Sequence, residues 1–140
     1  MTLTDETKKI LIEKALEARK KAYAPYSEYK VGACILTSNG NYFTGCNVEN
    51  ASYGASNCAE RTATFKAVSE GDTKFYAIAI VGGRDIDGIV SYAYPCGVCR
   101  QVLREFSDPK EMIILVGKST DDYKEYTLEE LLPDSFGPDF

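Results

Sequence analysis

Apolar residues recur every three or four positions near the start of the chain. Leu11, Ala15 and Ala18 follow this period, which is typical of an amphipathic helix with one face in a core. Pro25 cannot continue such a helix, because it has no backbone N–H and its ring clashes with the preceding turn. The pattern therefore predicts a first helix over residues 4–23.

Runs of β-branched and aromatic residues predict five strands, bounded by turn residues. They cover residues 31–37, 42–48, 75–81, 112–116 and 123–126. The first two are joined by Ser38-Asn39-Gly40-Asn41, in which Asn-Gly supplies the positive φ angles of a tight hairpin turn. The third and fourth are continuous apolar runs, as expected of buried strands, and we expect the last to be a short edge strand.

Three further helices are predicted among these strands. They cover residues 58–70, residues 98–106 and a short stretch from Thr127 to Pro133. Gly71 is placed to close the first of them, and Pro109 follows the second. Thr127 and Glu130 have the spacing of a capping box. A hairpin followed by alternating strands and helices predicts an α/β fold with a mixed sheet and helices packed against its faces.

Length and composition limit the possible functions. With 140 residues, 44% of them hydrophobic and 26% charged, we expect one compact domain over residues 1–140. The net charge of -5 argues against nucleic acid as a partner, since polynucleotide binders carry clustered lysine and arginine. The longest apolar stretch, 75–81, is far shorter than the roughly 20 residues of a membrane span, and residues 1–6 lack a basic, apolar leader. We therefore expect a cytoplasmic protein with no membrane partner.

The chain has five cysteines and no histidine. An odd count that includes one C-x-x-C pair fits poorly with a disulfide framework and well with metal chemistry in a reducing compartment. Three of the cysteines lie in Cys58-Ala59-Glu60-Arg61 and Pro95-Cys96-Gly97-Val98-Cys99, which match the general signature of zinc deaminases. Three thiolates hold a zinc ion and leave its fourth position open to water. The candidate metal ligands are therefore Cys58, Cys96 and Cys99.

The two residues that follow Ala59 suit further roles. Glu60 lies two positions from Cys58, so in the first turn of a helix it points to a different side and stays free to carry protons. Three thiolates around Zn²⁺ leave a net charge of about -1, which weakens the metal as a Lewis acid. Two helix N-termini and a hydrogen bond from Arg61 would offset this charge. We assign proton transfer to Glu60, and tuning of the metal without substrate contact to Arg61.

Less specific interpretations of the cysteines stay open at this point. The three candidate ligands would also fit a structural zinc site or buried thiols, although a structural site is normally closed by a fourth Cys or His. Cys34 and Cys46 lie on the predicted hairpin, and we expect them to be core or strand residues. The C-x-x-C pair alone also fits a redox protein.

Over essentially its whole length the chain resembles the small homotetrameric cytidine deaminases. Besides the two cysteine motifs, the resemblance rests on residues 24–33, Ala-Pro-Tyr-Ser-Glu-Tyr-Lys-Val-Gly-Ala, and on residues 45–51, Gly-Cys-Asn-Val-Glu-Asn-Ala. It implies a three-layer α/β/α fold with a mixed sheet of about five strands. It also implies one Zn²⁺ per subunit and a homotetramer with sites at the subunit interfaces.

The same resemblance implies a reaction and a set of site residues. Cytidine and 2′-deoxycytidine would be deaminated to uridine and 2′-deoxyuridine in pyrimidine salvage, with release of ammonia. A water on zinc would attack C4 of the pyrimidine while Glu60 passes protons to N3 and to the departing amino group. Asn47 and Glu49 would hold the ribose hydroxyls, which suits an amide and a carboxylate on one side of a strand end. The backbone around Ala59 would contact the base, and Gln101 would support the metal ligands beside Arg61.

Aromatic residues are the weaker part of the resemblance. Tyr29 stands where the family commonly has phenylalanine, and its hydroxyl needs a polar partner. Phe136 matches a residue that reaches the base in a neighbouring subunit's site, and Tyr53 matches a position at the interface or the rim of the site. The stretch 82–94 is longer than the family usually has before Pro-Cys. It would alter either a rim of the site or only a surface loop.

Four other functions compete with this interpretation. A related deaminase would act on another cytosine-containing compound, such as a nucleoside antibiotic, but Asn47 and Glu49 favour an ordinary nucleoside. A zinc-stabilised interaction module would not need Glu60. A C-x-x-C redox protein would tolerate the loss of Cys58. A polynucleotide editor would need a basic track, which the acidic balance of the chain disfavours.

Overall fold

Five strands in the order β2-β1-β3-β4-β5 form one mixed sheet in the computed structural model, which describes residues 3–139. The strands are β1 (Tyr29–Thr37), β2 (Tyr42–Cys46), β3 (Phe75–Arg84), β4 (Ile113–Ser119) and β5 (Asp122–Thr127). The helices are α1 (Asp5–Arg19), α2 (Ala59–Ser69), α3 (Gly97–Glu105) and α4 (Leu128–Leu131), with a 3₁₀ turn at Tyr53–Ala55 that was not predicted. Strands β3 and β4 run parallel, and the other neighbouring strands run antiparallel. The α/β class and the five-stranded mixed sheet are confirmed.

The side chains of β1 alternate between two layers of the core, one on each face of the sheet. Ala33 and Ile35 pack with α2 and α3 on one face of the sheet, whereas Cys34 and Leu36 pack with α1 on the other. Successive side chains of a strand point to opposite faces, so a strand that is apolar at every position is covered by helices on both sides. This arrangement is the predicted three-layer α/β/α architecture. No helix within residues 3–139 is long and apolar enough to cross a membrane.

Several elements end at positions that differ from the prediction, among them α1 and β3. Helix α1 ends at Arg19 rather than residue 23, because Tyr23 leaves the helix to pair with Asn47 and Glu49 through backbone hydrogen bonds of 3.0 and 2.8 Å. Strand β3 continues through Gly82 and Gly83 to Arg84, three residues beyond its predicted end at Val81. A side chain on Gly82 would come within 2.9 Å of the Tyr29 ring. The glycines therefore allow close approach within a paired strand.

The β1–β2 turn also differs from the expected hairpin. Only Gly40 has a positive φ there, at 82°, so the turn is not the type with two left-handed residues. The carboxylate of Asp72, just after α2, accepts hydrogen bonds from Thr37 at 2.9 Å, Asn39 at 2.7 Å and Asn41 at 2.9 Å. A side chain distant in sequence thus shapes this turn.

Candidate active site

Two helix N-termini bring the three predicted metal ligands together. Cys58 is the N-cap of α2 and Cys96 is the N-cap of α3, with Cys99 in the first turn of α3. The three Sγ atoms all lie within 4.8 Å of one another. Such termini expose unpaired N–H groups that favour negative charge. One of them is seen here, since the Cys99 N–H donates to Cys96 Sγ at 3.4 Å.

This arrangement of thiols fits a zinc ion. Zinc–sulfur bonds of about 2.3 Å in a tetrahedron place the sulfurs about 3.8 Å apart. The Sγ atoms of Cys96 and Cys99 are 3.5 Å apart, and the 4.8 Å limit on the set leaves only a small adjustment. The sulfurs of Cys34 and Cys46 do not belong to this group: Cys34 is buried in the α1 layer, and Cys46 lies in β2. Their predicted places in the core and on a strand are confirmed.

Hydrogen bonds to Cys58 favour its thiolate form. The neighbouring Cys99 thiol and then the Arg61 guanidinium lower the pKa of Cys58 to about 5. Arg61 Nη2 donates to Cys58 Sγ at 3.3 Å, as predicted from the negative charge of a three-thiolate site. Arg61 Nε is buried and, within residues 3–139, has no hydrogen-bond partner. The guanidinium thus keeps one donor free beside the ligands.

Glu60 is buried next to this cluster. Its side chain is only 4% exposed. Burial is the main cause that raises the pKa of Glu60 to about 7, and the nearby Cys58 charge adds to it. A carboxyl group with a pKa near neutrality can both accept and release a proton under physiological conditions, as a general acid and base must.

A cavity of about 590 Å³ holds most of the predicted site residues. Those that line it are Tyr29, Asn47, Glu49, Tyr53, Cys58, Ala59, Glu60, Arg61 and Cys96. Its size falls within the range of small-molecule pockets. A separate cavity of about 530 Å³ beside α1 and β2 contains none of the candidate ligands. The chemistry expected from the sequence therefore converges on a single pocket.

The two predicted ribose ligands also organise the backbone around the pocket. Asn47 Oδ1 accepts from the Val31 N–H at 2.8 Å, and Asn47 Nδ2 donates to the Tyr29 carbonyl at 2.8 Å. Glu49 Oε1 accepts from the Tyr26 N–H at 2.9 Å, and Glu49 Oε2 accepts from the Ser27 hydroxyl. These bonds lower the pKa of Glu49, so it stays ionised. Oε1 also accepts from the Ser27 N–H at 3.1 Å, so Glu49 Oε2 and Asn47 Oδ1 are the oxygens that keep a lone pair for a further donor.

Ser27 is a site residue that the sequence interpretation did not single out. Its hydroxyl donates to Glu49 and accepts from the Tyr29 N–H at 3.0 Å. It therefore links the carboxylate to the aromatic wall of the pocket. The signal was present in the chain, because Ser27 belongs to the 24–33 motif. Tyr92, Ala93 and Tyr94 also line the pocket, and their only sequence signal is their position just before Pro95.

Gln101, in α3, and Phe136, in the C-terminal tail that follows α4, both lie outside the pocket. Phe136 is 80% exposed. Gln101 Nε2 donates to the Phe136 carbonyl at 3.1 Å, so its amide holds the tail. Arg104, buried in α3, donates to Ser135 Oγ at 3.0 Å and to the Pro138 carbonyl at 2.8 Å. Helix α3 thus carries two candidate metal ligands at one end and the tail along its side. The predicted support of the ligands by Gln101 stays a prediction.

Known proteins are similar to this chain in both sequence and fold. Residues 5–116 match the family described as the cytidine and deoxycytidylate deaminase zinc-binding region. A cytidine deaminase of Halalkalibacterium halodurans is 46% identical over 129 residues, which cover 92% of this chain and 93% of the relative. The crystal structure of a cytidine deaminase from Burkholderia pseudomallei superimposes with a TM-score of 0.80 at 47% identity, covering 91% of this chain and 97% of that one. The cytidine deaminase structure from Mycobacterium tuberculosis gives 0.76 at 39% identity, covering 92% and 96%.

Proposed function

Because this chain belongs to the cytidine and deoxycytidylate deaminase family, we propose that it hydrolyses cytidine and 2′-deoxycytidine to the corresponding uridine nucleosides and ammonia. The observation that carries the proposal is the buried carboxyl of Glu60 beside three clustered thiols in one pocket. An interaction module has no need of such a carboxyl, since burying it is costly. The pathway would be pyrimidine salvage.

Cys58, Cys96 and Cys99 would hold one Zn²⁺ per subunit, and Arg61 would offset part of their charge. When bound, zinc supplies a Lewis acid that makes a water nucleophilic at neutral pH. Glu60 would take one proton of the attacking water at a carboxylate oxygen and deliver it to N3 of the pyrimidine. It would then take the second proton from the new hydroxyl group on C4 and pass it to the amino group, which leaves as ammonia when the C4–N bond breaks. Its raised pKa, about 7, suits both directions of transfer.

The other pocket residues bind and orient the nucleoside. Glu49, kept ionised by its hydrogen bonds, would accept from a ribose hydroxyl, and Asn47 Nδ2 has a second N–H to donate. The backbone around Ala59 would contact the base, and the ring of Tyr29 would form one wall. Tyr53, 77% exposed and lining the pocket, would form the rim or part of an interface.

A homotetramer with sites at the subunit interfaces is part of the same proposal. The exposed ring of Phe136 would reach the base in a neighbouring site. The proposal also includes a cytoplasmic location and a single domain over residues 1–140. One sheet that carries a packed core on each face supports the single domain.

The direct test is ultraviolet monitoring of cytidine conversion by the purified protein. We expect conversion to stop after chelation and to return when zinc is added back. Cys58→Ala should lose both zinc and activity, because a catalytic site has no ligand to spare. Cys46→Ser is the matched control and should keep both, since Cys46 lies outside the thiol cluster. Failure to convert cytidine, deoxycytidine or cytosine in a zinc-dependent way would overturn the proposal.

A further inference from the structure

The irregular segment between β3 and α3 forms part of the substrate pocket. Residues 85–95 contain turns and bends but no helix or strand. Tyr92, Ala93 and Tyr94 from this segment line the same cavity as Glu60. A wall built from irregular backbone keeps its shape only if other elements hold it.

The β4–β5 hairpin holds this wall through Tyr92. The Tyr92 hydroxyl donates to Asp122 Oδ1 at 2.5 Å. Lys118 Nζ and Lys124 Nζ lie 4.5 and 4.7 Å from the centroid of its ring, within the range of cation–π attraction. Lys118 comes from β4, and Asp122 and Lys124 come from β5, so all three partners belong to one hairpin at the edge of the sheet.

Charge explains why these groups gather around one phenol. Two ammonium groups beside the same ring repel each other, and the Asp122 carboxylate and the negative face of the ring offset that repulsion. The neighbouring Tyr94 adds a parallel link, since its hydroxyl lies 3.1 Å from that of Tyr126 in β5 and their rings meet edge to face. Tyr92 and Tyr94 of the wall thus both form hydrogen bonds with residues of β5.

We propose that Tyr92 is a positioning residue, which fixes the 92–94 wall of the pocket against β5 and so sets how tightly the nucleoside is held. The proposal rests on the proposed deaminase function. Tyr92 takes no part in proton transfer, because its hydroxyl is bound to Asp122. Loss of the link would let the wall move and would weaken substrate binding, while Glu60 and the thiols stay in place.

The test compares steady-state kinetics of Tyr92→Phe and Asp122→Ala with the wild-type protein. Each variant should raise KM for cytidine about 3- to 10-fold, which corresponds to the typical net contribution of one hydrogen bond, with kcat changed less than about 2-fold. The double variant should be no worse than either single one, because all three lack the same bond. Tyr76→Phe is the control, a tyrosine of β3 outside this pocket, and should keep the wild-type KM.

Other outcomes would overturn the proposal without touching the deaminase assignment. Unchanged KM in an active Tyr92→Phe variant, or losses that add in the double variant, would show that Tyr92 does not position substrate. Melting temperature and zinc content of each variant separate a local effect from unfolding. Asp122 is exposed, so Asp122→Ala tests the bond even if Tyr92→Phe folds poorly. An inactive wild-type protein would instead contradict the proposed function itself.

Discussion

At Glu60, burial and a neighbouring charge both raise the pKa of the carboxyl group. Removing a carboxylate from water disfavours its charged form, and the nearby Cys58 thiolate repels a second negative charge. Both raise the pKa, to about 7. A solvated glutamate would be ionised at pH 7 and would hold a proton too weakly to pass it on.

Replacing Glu60 by glutamine should separate catalysis from metal binding. Glu60→Gln keeps the shape of the side chain but cannot exchange a proton, so kcat should fall by about 10²- to 10⁴-fold while zinc content is unchanged. Kinetics and metal analysis on the same sample measure both quantities. Glu105→Gln, at an exposed position of α3, is the matched control. A variant that loses zinc together with activity would show instead that Glu60 is a ligand.

The positions and contacts of single site residues were predictable where these residues belong to one short motif. Cys58, Glu60 and Arg61 are consecutive or nearly so, and their contacts follow from the first turn of one helix. The partner of Arg104 was not predictable, because it depends on where a distant tail crosses α3. The same holds for Tyr92, whose hydrogen-bond partner Asp122 lies 30 residues later in the chain, on the edge strand β5.

Among the elements, the β1–β2 hairpin depends on a residue outside itself. Asp72 accepts hydrogen bonds from three side chains of the hairpin, and these bonds lower its pKa. An asparagine there would offer one oxygen in place of two and no charge. The turn geometry is therefore coupled to the end of α2.

Asp72→Asn should lower the melting temperature by several degrees at pH 7. Because the folded-state pKa is depressed, the stabilisation is present above the unfolded value of about 3.9 and is lost as pH falls through the lower folded value. The difference between wild type and variant should therefore shrink below about pH 4. Thermal melts followed by circular dichroism across pH 3 to 7 measure it. Asp139→Asn, exposed in the tail, should melt like the wild type, and a pH-independent difference for Asp72→Asn would contradict this account.

Element types followed from local pattern, whereas element ends did not. The apolar run of β3 and the capping box at Thr127 both appear where the sequence placed them. The extension of β3 through Gly82 requires knowledge of its partner, because Val31 of β1 is the residue that pairs with it. Pairing overrides the usual expectation that two adjacent glycines end a strand.

On the scale of the whole molecule, several large apolar side chains lie exposed on the surface. Large side chains that are mostly exposed include Tyr53, Ile86 and Phe136, and Tyr53 lies at the pocket itself. Exposed aromatic residues beside a binding site favour contact with another protein chain. The proposed homotetramer would cover such residues.

Mixing two defective variants should restore activity if a neighbouring chain completes each site. Phe136→Ala should raise KM in its own assembly, and Glu60→Gln should be inactive. In a mixed assembly, some sites would combine an intact Glu60 from one chain with an intact Phe136 from the other, so low-KM activity should return after the two variants are unfolded and refolded together. Light scattering should give a mass of four times the 15.4 kDa chain.

Separate refolding followed by mixing is the control for that experiment, since stable assemblies would not exchange chains. Kinetics for the refolded mixture that equal the average of the two variants would contradict shared sites. A monomer by light scattering would contradict the assembly altogether.

The tail held by α3 has a practical consequence for purification. Gln101 and Arg104 fasten residues 135–138 to the same helix that begins with Cys96 and Cys99. A polyhistidine tag added after this tail would introduce imidazoles into a chain that has none, close to a helix that bears two of the proposed zinc ligands. It would compete for zinc and pull on the tail during affinity chromatography. A cleavable tag ahead of α1, which covers the opposite face of the sheet, avoids both effects.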